Sequence, residues 1–353
     1  MNLYDFSYIP SDYSNEYNID FEYFKKNFDD NDKKYFILKN KIAMYYTSEN
    51  GIYACFKENK HKKNDKYKKN CNYYFSGFFK EDDFYKKMMS KSIRYFSFFA
   101  DYDKFLEDLA NMAEAESWHN IGDPNKYNIL KNYIHHTFLR LFEQNKIKYY
   151  SNGDKACINT GLLTRNFYED IYMYFETNDT EFYRYKFIKC ATSSDNCFEG
   201  IDLPEHATYV TDPSEVIFNS SYEVRTDWKH ILSDEKNRNR FPEKYRNMDD
   251  DLLYPILEKS LEMAKKRAAR NYRIAVPQFY SGNLQLLLPV VLGKGGEADL
   301  ALVFKRYQYQ DEPESKNKFY YKVYSNLTLS MAYNNARLLS RPASEWLDKV
   351  LDK

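Results

Sequence analysis

Residues 327–346 read Leu-Thr-Leu-Ser-Met-Ala-Tyr-Asn-Asn-Ala-Arg-Leu-Leu-Ser-Arg-Pro-Ala-Ser-Glu-Trp, which combines the apolar residues of a core segment with many polar groups. A buried polar group without a hydrogen-bond partner costs about 1–3 kcal/mol, so each of these groups needs one. The hydrogen-bond partners are either the protein's own backbone or a bound anion. The stretch is therefore either a ligand site or a structural latch. Its polar residues are Tyr333, Asn334, Asn335, Arg337 and Arg341.

Upstream of this stretch the sequence predicts a mixed or antiparallel β-rich domain with one long helix. Pro255 is expected to open that helix, which runs to about Tyr272, because a proline in the first helical turn loses no hydrogen bond. Two apolar segments, 284–292 and 299–305, are predicted as central strands of a sheet. Further segments with the pattern of strands are 171–175, 183–190, 273–279 and 320–329.

Residues 93–165 have the outline of a winged helix. Apolar residues recur at helical spacing from Phe105 to Ala113 and again from Ile129 to Phe142. A hairpin is predicted next, around a turn at Asn152-Gly153. In a winged helix the second helix enters a nucleic-acid groove and the hairpin contacts phosphate. The same outline also serves as a protein–protein module.

Residues 1–92 are predicted to form a small antiparallel β-module rich in Tyr and Lys. Its strands lie near 35–38, 42–46, 52–56 and 73–79, and a Lys-rich segment at 57–70 is either a basic loop or a solvated, disordered excursion. The predicted fold class is α+β. The predicted domains are the β-module (1–92), the winged-helix-like segment (93–165) and an α+β core domain (166–353).

Composition limits the classes of function. Lys and Arg total 52 and so do Asp and Glu, so no global field attracts nucleic acid or an anionic membrane, and any electrostatic site must be local. The 5 cysteines show no CxxC or CxxH spacing, which argues against a disulfide framework and a zinc site. Neither a secretory signal nor an apolar stretch of ~20 residues is present. A cytoplasmic protein without membrane contact is expected.

Two basic groups are candidates for phosphate binding. The long helix carries Lys259, Lys266, Arg270 and Arg273 on one side, a ridge that is able to follow a phosphate backbone. The alternative is a solvated face in which Glu262 and Lys266 form an i,i+4 pair. Arg240, in an Arg-rich loop, is the second candidate, since guanidinium groups match phosphate geometry.

Candidates for catalysis are fewer. His230 precedes the Arg-rich loop and is a possible acid or base, or else a structural histidine with protein partners. Asp299 is the best-placed carboxylate of the carboxyl-terminal half. Asn159 begins a turn whose side chains bond their own backbone, and it lacks the Walker pattern. No familiar metal or triad motif occurs, and adjacent His135 and His136 make a poor metal pair, so no metal and no cofactor is predicted.

Short motifs are spread from Leu109 to Leu338. They are Leu109-Ala-Asn-Met-Ala113, Glu116-Ser-Trp118, Ile129-Leu-Lys-Asn-Tyr133, Asn159-Thr-Gly161-Leu162, His230-Ile-Leu232, Arg240-Phe-Pro242, Asn271-Tyr272, Pro277-Gln278, Gln285-Leu-Leu-Leu-Pro289, Asp299-Leu-Ala-Leu302 and Met331-Ala-Tyr-Asn-Asn-Ala-Arg-Leu338. Together they resemble a bacterial and fungal domain-of-unknown-function family that is sometimes found beside LOTUS-type winged-helix or cold-shock domains, both of which bind RNA. The resemblance covers roughly residues 94–347, although Ser330 stands where the family has an acidic residue. Because these neighbouring domains bind RNA, the resemblance implies a role in RNA metabolism.

Three hypotheses follow. The first is an RNA- or nucleotide-binding protein, in which Tyr333 or Trp228 offers a stacking face for a base. The second is an enzyme acting on a phosphoester or nucleotide, with His230 and Asp299 as catalytic groups. The third is a protein-interaction scaffold in a defence or stress pathway, with unknown protein partners. The RNA or phosphate contacts predicted under the first hypothesis are Arg337, Asn335, Arg240, Arg270, Lys266 and Asn159.

Overall fold

The computed structural model divides the chain into two compact units, residues 1–98 with 176–186 and residues 99–175 with 187–353. Helices and β-sheets are both present, which confirms the α+β class. Among the described helices, none has the length and apolarity needed to cross a membrane. The residues that the structure describes are 7–8, 34–38, 41–46, 52–58, 73–80, 92–178, 183–294, 296–310, 319–348 and 350–351.

The first unit contains a five-stranded sheet in the order β1-β5-β4-β3-β2. Strands β2 to β5 pair antiparallel in sequence order, as predicted for the amino-terminal module, while β1 lies parallel to β5. The predicted Lys-rich segment lies outside the described residues from position 59 onward. The strands are β1 (Ser7–Tyr8), β2 (Lys34–Leu38), β3 (Lys41–Tyr46), β4 (Ile52–Glu58) and β5 (Tyr73–Lys80). A short helix, α1 (Ile93–Phe96), and β6 (Ser97–Phe98) follow.

Two amphipathic helices begin the second unit, as their apolar spacing predicts. Helix α2 (Tyr102–Met112) starts at Asp101, whose side chain accepts a hydrogen bond from the Lys104 N–H and so satisfies one of the unpaired donors of the first turn. Helix α3 (Asn128–Glu143) buries Ile129, Tyr133 and Phe138 along one stripe.

The predicted hairpin follows α3. It consists of β7 (Lys148–Tyr150) and β8 (Lys155–Leu163), joined through Asn152, which has a positive φ of 57°. Strand β8 continues into a sheet of order β6-β10-β9-β8-β7, with β9 (Asp170–Thr177) and β10 (Tyr185–Ala191). Helix, helix and hairpin thus occur in the predicted order, and the winged-helix interpretation stays a prediction.

A third sheet, of order β11-β15-β14-β13-β12, forms the carboxyl-terminal part. Strands β12 to β15 pair antiparallel, and β11 lies parallel to β15. Three short helices, α4 (Trp228–Ser233), α5 (Glu235–Arg238) and α6 (Glu243–Arg246), follow β11. The strands are β11 (Glu223–Thr226), β12 (Val276–Tyr280), β13 (Asn283–Val290), β14 (Leu300–Gln308) and β15 (Phe319–Leu327).

One face of this sheet packs on the long helix, α7 (Asp250–Ala268). The helix starts at Asp250, so the expectation that Pro255 opens it is wrong. Asp250 and Asp251 occupy the first turn, where carboxylates interact favourably with the helix dipole, and the helix therefore forms ahead of the proline. It ends before Tyr272, which belongs to a 3-10 turn.

The opposite face of the sheet carries α8 (Leu329–Ala336), the helix formed by the polar stretch near the carboxyl end. The side-chain hydroxyl of Thr328 caps it by accepting from the Met331 N–H. Helix α8 contacts β12, β14, β15 and α3. A short last helix, α9 (Glu345–Asp348), follows. The amides of α8 are thus held between the third sheet and α3.

Candidate functional site

Arg337, directly after α8, is a buried cation with a buried carboxylate partner. Its Nε and Nη2 atoms donate to the two carboxylate oxygens of Glu116 at 2.6 and 2.7 Å. The guanidinium carbon lies 4.7 Å from the Trp118 ring centroid and 4.8 Å from that of Tyr133. Burial alone would lower the pKa of Arg337, but the hydrogen bonds and charge of Glu116 outweigh it and raise that pKa. The partner is thus a carboxylate of the protein, neither the backbone nor a bound anion, and the geometry is that of a latch.

Tyr333 lies inside the same cluster and is fully buried, with 0 % of its surface exposed. Within the described part of the chain its hydroxyl has no hydrogen-bond partner, and neither has Nε1 of Trp118. Burial raises the pKa of Tyr333 to about 12, with the Glu116 charge acting in the same direction and Arg337 opposing it. The ring of Tyr333 is therefore packed as core and offers no stacking face.

The other side of α8 borders a cavity of about 290 Å³ that opens beside β12 and β13. Five side-chain amides line its wall, together with one guanidinium group, two phenol rings and the apolar side chains of Val303, Leu327 and Met331. Tyr280 is 55 % exposed at the third sheet's edge. The amides are those of Asn132, Gln278, Gln285, Asn334 and Asn335, and the other polar side chains are Arg240, Tyr280, Tyr324 and Ser325.

Three of these amides form a hydrogen-bonded chain. Asn335 Nδ2 donates to Gln278 Oε1 at 3.0 Å, and Gln278 Nε2 donates to Gln285 Oε1 at 2.7 Å. Gln278 and Gln285 stand opposite each other across the β12–β13 hairpin. Only 1 % and 5 % of their surfaces are exposed. Since Gln285 Nε2 donates to no described residue, the chain ends at a donor beside the cavity.

Arg240 is fixed in the cavity wall by acceptors from neighbouring elements. Its Nη1 donates to Asn237 Oδ1 at 3.0 Å, to Ser325 Oγ at 3.1 Å and to the Asn326 carbonyl at 2.6 Å. Asn237 is held in turn because its Nδ2 donates to the His230 carbonyl. The side chain that the sequence predicts as one of several phosphate contacts is therefore part of a hydrogen-bond network with Asn237 and β15.

A basic aromatic surface adjoins the cavity on the same face of the sheet. Phe304 and Val323 point into the core beneath α7, so the alternating residues of β14 and β15 point to the other face. There Lys305 stands directly opposite Lys322. The surface, which we call the tyrosine–lysine face, consists of Lys305, Tyr307, Tyr320, Lys322 and Tyr324.

The rings and ammonium groups of this face interleave. Tyr307 and Tyr320 are cross-strand partners whose rings stack at 5.7 Å between centroids and 22° between planes. The Lys305 ammonium lies 5.3 Å from the Tyr307 ring centroid and the Lys322 ammonium 6.0 Å from that of Tyr324. Among the residues that the structure describes, neither lysine forms an ion pair. Tyr324 also lines the cavity, so the two surfaces are continuous.

The remaining predicted site residues lie away from the cavity. Arg270 Nη1 donates to the Lys266 carbonyl at the exposed end of α7. Asn159 Oδ1 accepts from the Gly161 N–H at 2.9 Å, as its turn motif predicts. His230 is exposed on α4. Asp299 Oδ2 accepts from the Leu292 N–H at 2.7 Å and closes the β13–β14 hairpin. Of the predicted set, only Asn335 and Arg240 line the cavity.

Four features of the site were not predicted as functional from the sequence: Gln278, Gln285, Tyr280 and the tyrosine–lysine face. One signal for the face was present, since Tyr320, Lys322 and Tyr324 alternate with the core positions 321 and 323 at the spacing of a strand. No sequence pattern identifies the two glutamines, because the contact between them depends on the register of the β12–β13 hairpin. As for metals, the described residues contain no group of three or more His, Cys, Asp or Glu side chains placed to hold an ion.

Fold and site together define an α+β protein in which an amide-lined cavity adjoins a basic aromatic sheet face. Residues 109–346 match the family described as Domain of unknown function (DUF3825), and the chain belongs to that family. Both surfaces lie within the matched residues. No curated protein and no solved structure matches the chain.

Proposed function

We propose that this protein binds single-stranded RNA along the tyrosine–lysine face and acts in RNA metabolism. The observation that carries the proposal is the cross-strand pair of Lys305 and Lys322. Side chains directly opposite each other in an antiparallel pair lie about 4.5–5.5 Å apart at Cβ, and like charges in that position are destabilising. The two ammonium groups lean apart, toward Tyr307 and toward Tyr324, and phosphate groups of one strand bound at them would screen the repulsion and gain charge-assisted hydrogen bonds.

The aromatic residues of the face support the same function. Bases of single-stranded nucleic acid stack on exposed aromatic rings, each for about 1–3 kcal/mol, while lysines between the rings contact the backbone. Tyr307, Tyr320 and Tyr324 are partly exposed and alternate with the two lysines on one sheet surface. Sheet surfaces that carry stacking aromatics are an established way of binding RNA.

The choice of RNA over DNA follows the family resemblance, since relatives are sometimes found beside LOTUS-type or cold-shock domains that bind RNA. Neighbouring domains provide only an association with RNA, whereas the lysine pair provides a physical reason for phosphate binding. The neutral net charge restricts attraction to the local face and predicts moderate, salt-sensitive affinity. We also propose a cytoplasmic setting, because the cysteines lack disulfide spacing.

The test is fluorescence anisotropy with a labelled single-stranded RNA at two salt concentrations, and with DNA of the same sequence. The double variant Lys305→Gln/Lys322→Gln should bind at least about tenfold more weakly. Its slope of log K against log salt should be smaller by about 0.7 for each phosphate that the protein no longer neutralises. The matched control is Lys266→Gln/Arg270→Gln, which removes one exposed charge from the last turn of α7 and one just beyond it.

Equal losses in the two double variants would overturn the assignment of phosphate to the tyrosine–lysine face. Absence of binding by the unaltered protein at low salt would overturn RNA binding altogether. Tighter binding of DNA than of RNA would contradict the choice of polymer. The enzyme hypothesis gains no support from geometry, since His230 is exposed on α4 and Asp299 holds a hairpin.

A further inference from the structure

We propose that the amide-lined cavity is a nucleobase pocket that reads one base of the bound RNA. This inference rests on the proposed function, because the base would arrive from a strand lying on the tyrosine–lysine face. The cavity volume, about 290 Å³, is at the lower end of the range for small-molecule sites, which suits one planar ring system. Tyr324 belongs to both surfaces, so the strand has a continuous path into the cavity.

The chemistry of the wall fits a base better than a phosphate. Five amides line the cavity, and amides both donate and accept hydrogen bonds. The edge of every nucleobase also mixes donors and acceptors, and glutamine and asparagine are common partners of base edges. A phosphate offers acceptors only and prefers cationic donors. Arg240 is the one cation of the wall, and its Nη1 already serves three protein acceptors.

Gln285 carries an amide atom that none of the described residues pairs and that a ligand in the cavity is able to reach. Its surface is 95 % inaccessible and its Oε1 is occupied by Gln278, while Nε2 has no partner within the described chain. Nε2 is not among the fully buried unpaired atoms of the described residues, so it is accessible from the cavity, where the acceptor of a base takes the place of water. If all three amides of the chain are reversed, both hydrogen bonds persist and the unpaired atom of Gln285 becomes an oxygen. In either direction one amide atom of Gln285, unpaired among the described residues, is left for the base.

Apolar and aromatic groups at the cavity supply a stacking surface. Tyr280 and Met331 line the cavity although 55 % and 37 % of their surfaces are exposed. An exposed phenol ring beside a polar cavity is suited to cover the face of a base whose edge is bound by amides. The pocket thus offers both elements of single-stranded RNA recognition, a ring to stack on and polar groups to read an edge.

The experiment compares the four RNA homopolymers of equal short length by fluorescence anisotropy. The unaltered protein should prefer one of them by about tenfold or more, the range that one well-placed set of base hydrogen bonds supplies. Gln285→Leu, which keeps the bulk of the side chain, should abolish the preference and leave the salt dependence unchanged. Gln285→Glu, which removes the donor and keeps the acceptors, should change which homopolymer is preferred.

The results of these measurements distinguish a failure of the base pocket from a failure of the proposed RNA binding. Binding of all four homopolymers with equal affinity would overturn the base pocket and leave RNA binding intact. If no RNA binds, titration calorimetry with the four nucleosides tests the pocket separately. Binding of a nucleoside that is lost in Gln285→Leu would support the base pocket, and no binding of any nucleoside would overturn it. Tyr280→Ala is the second variant, since this exposed residue tolerates truncation, and unchanged affinity for the preferred homopolymer would remove its stacking role.

Discussion

Arg337 and Glu116 are separated by 221 residues in the sequence and form a two-pronged ion pair, with N–O distances of 2.6 and 2.7 Å. The pair fastens the end of α8 to the segment that follows α2. On its other side α8 presents Asn334 and Asn335 to the cavity. The ion pair therefore positions the wall of the proposed base pocket without lining it.

Removal of the Arg337 side chain should destabilise the fold. Arg337→Ala leaves the Glu116 carboxylate buried and unpaired, a change that typically lowers the free energy of unfolding by about 3–5 kcal/mol. Urea denaturation measures it, with Arg341→Ala as the control because Arg341 is exposed nearby. An unchanged unfolding midpoint for Arg337→Ala, together with weaker RNA binding, would show that Arg337 is a ligand contact instead of a latch.

Gly161 provides a test of the packing around Tyr133. A Cβ at position 161 would lie 2.8 Å from the Tyr133 hydroxyl, and the backbone there has a positive φ of 72°. Gly200 has a φ of 70° with no atom within 4 Å of its Cβ position, so Gly200→Ala reports the backbone strain alone. Gly161→Ala should be less stable than Gly200→Ala by about 1–3 kcal/mol, the usual range for overpacking.

The cause of that difference can be isolated with Tyr133→Phe, which deletes the hydroxyl and its hydrogen bond to the Thr160 carbonyl. In the Tyr133→Phe background, Gly161→Ala should lower the free energy of unfolding by much less than in the unaltered protein. Thermal unfolding of the four proteins completes the cycle. Additive effects of the two substitutions would contradict the close approach of Gly161 to the hydroxyl.

The third sheet shows how much of the fold can be predicted from the sequence. Its strands β12 to β15 are predictable because each carries its own short-range pattern, such as the apolar run from Leu286 to Leu288. The start of α7 is not predictable in this way. Pro255 is of a type common in the first turn of a helix, whereas the helix begins more than one turn earlier with the acidic residues Asp250 and Asp251. Local signals thus identify the elements and misplace one boundary.

The candidate site depends on contacts that no local pattern encodes. Asn335 joins Gln278 only after α8 has folded over the sheet, and Glu116 meets Arg337 across most of the second unit. Lys305 faces Lys322 because of one particular register between β14 and β15, which shifts at an irregularity beside Phe304. A shift of one residue would move these side chains to the other face, so composition and motifs alone are unable to specify the surface.

Acid should weaken the fold through His136 on α3. Burial lowers its pKa to about 4, and the neighbouring His135 charge acts in the same direction. The unfolded chain then binds the proton more readily than the folded one, so stability is fully present above about pH 6.5 and is lost as the pH falls toward 4. Urea midpoints across this window should fall less in His136→Gln than in the unaltered protein, with exposed His206→Gln as the control.

Replacement of Lys322 by glutamate should strengthen the fold and weaken RNA binding at once. Lys322→Glu places a carboxylate directly opposite Lys305 and turns a repulsive cross-strand pair into an attractive one, worth about 0.2–1 kcal/mol of unfolding free energy. The same carboxylate repels the RNA phosphates that the two lysines are proposed to bind. Lys322→Gln is the control that removes charge without reversing it, and it should lie between the two proteins in urea stability and in RNA affinity. Because a purely structural role for the lysine pair predicts no change in RNA affinity, a Lys322→Glu protein that is more stable and binds RNA normally would exclude this face as the RNA surface.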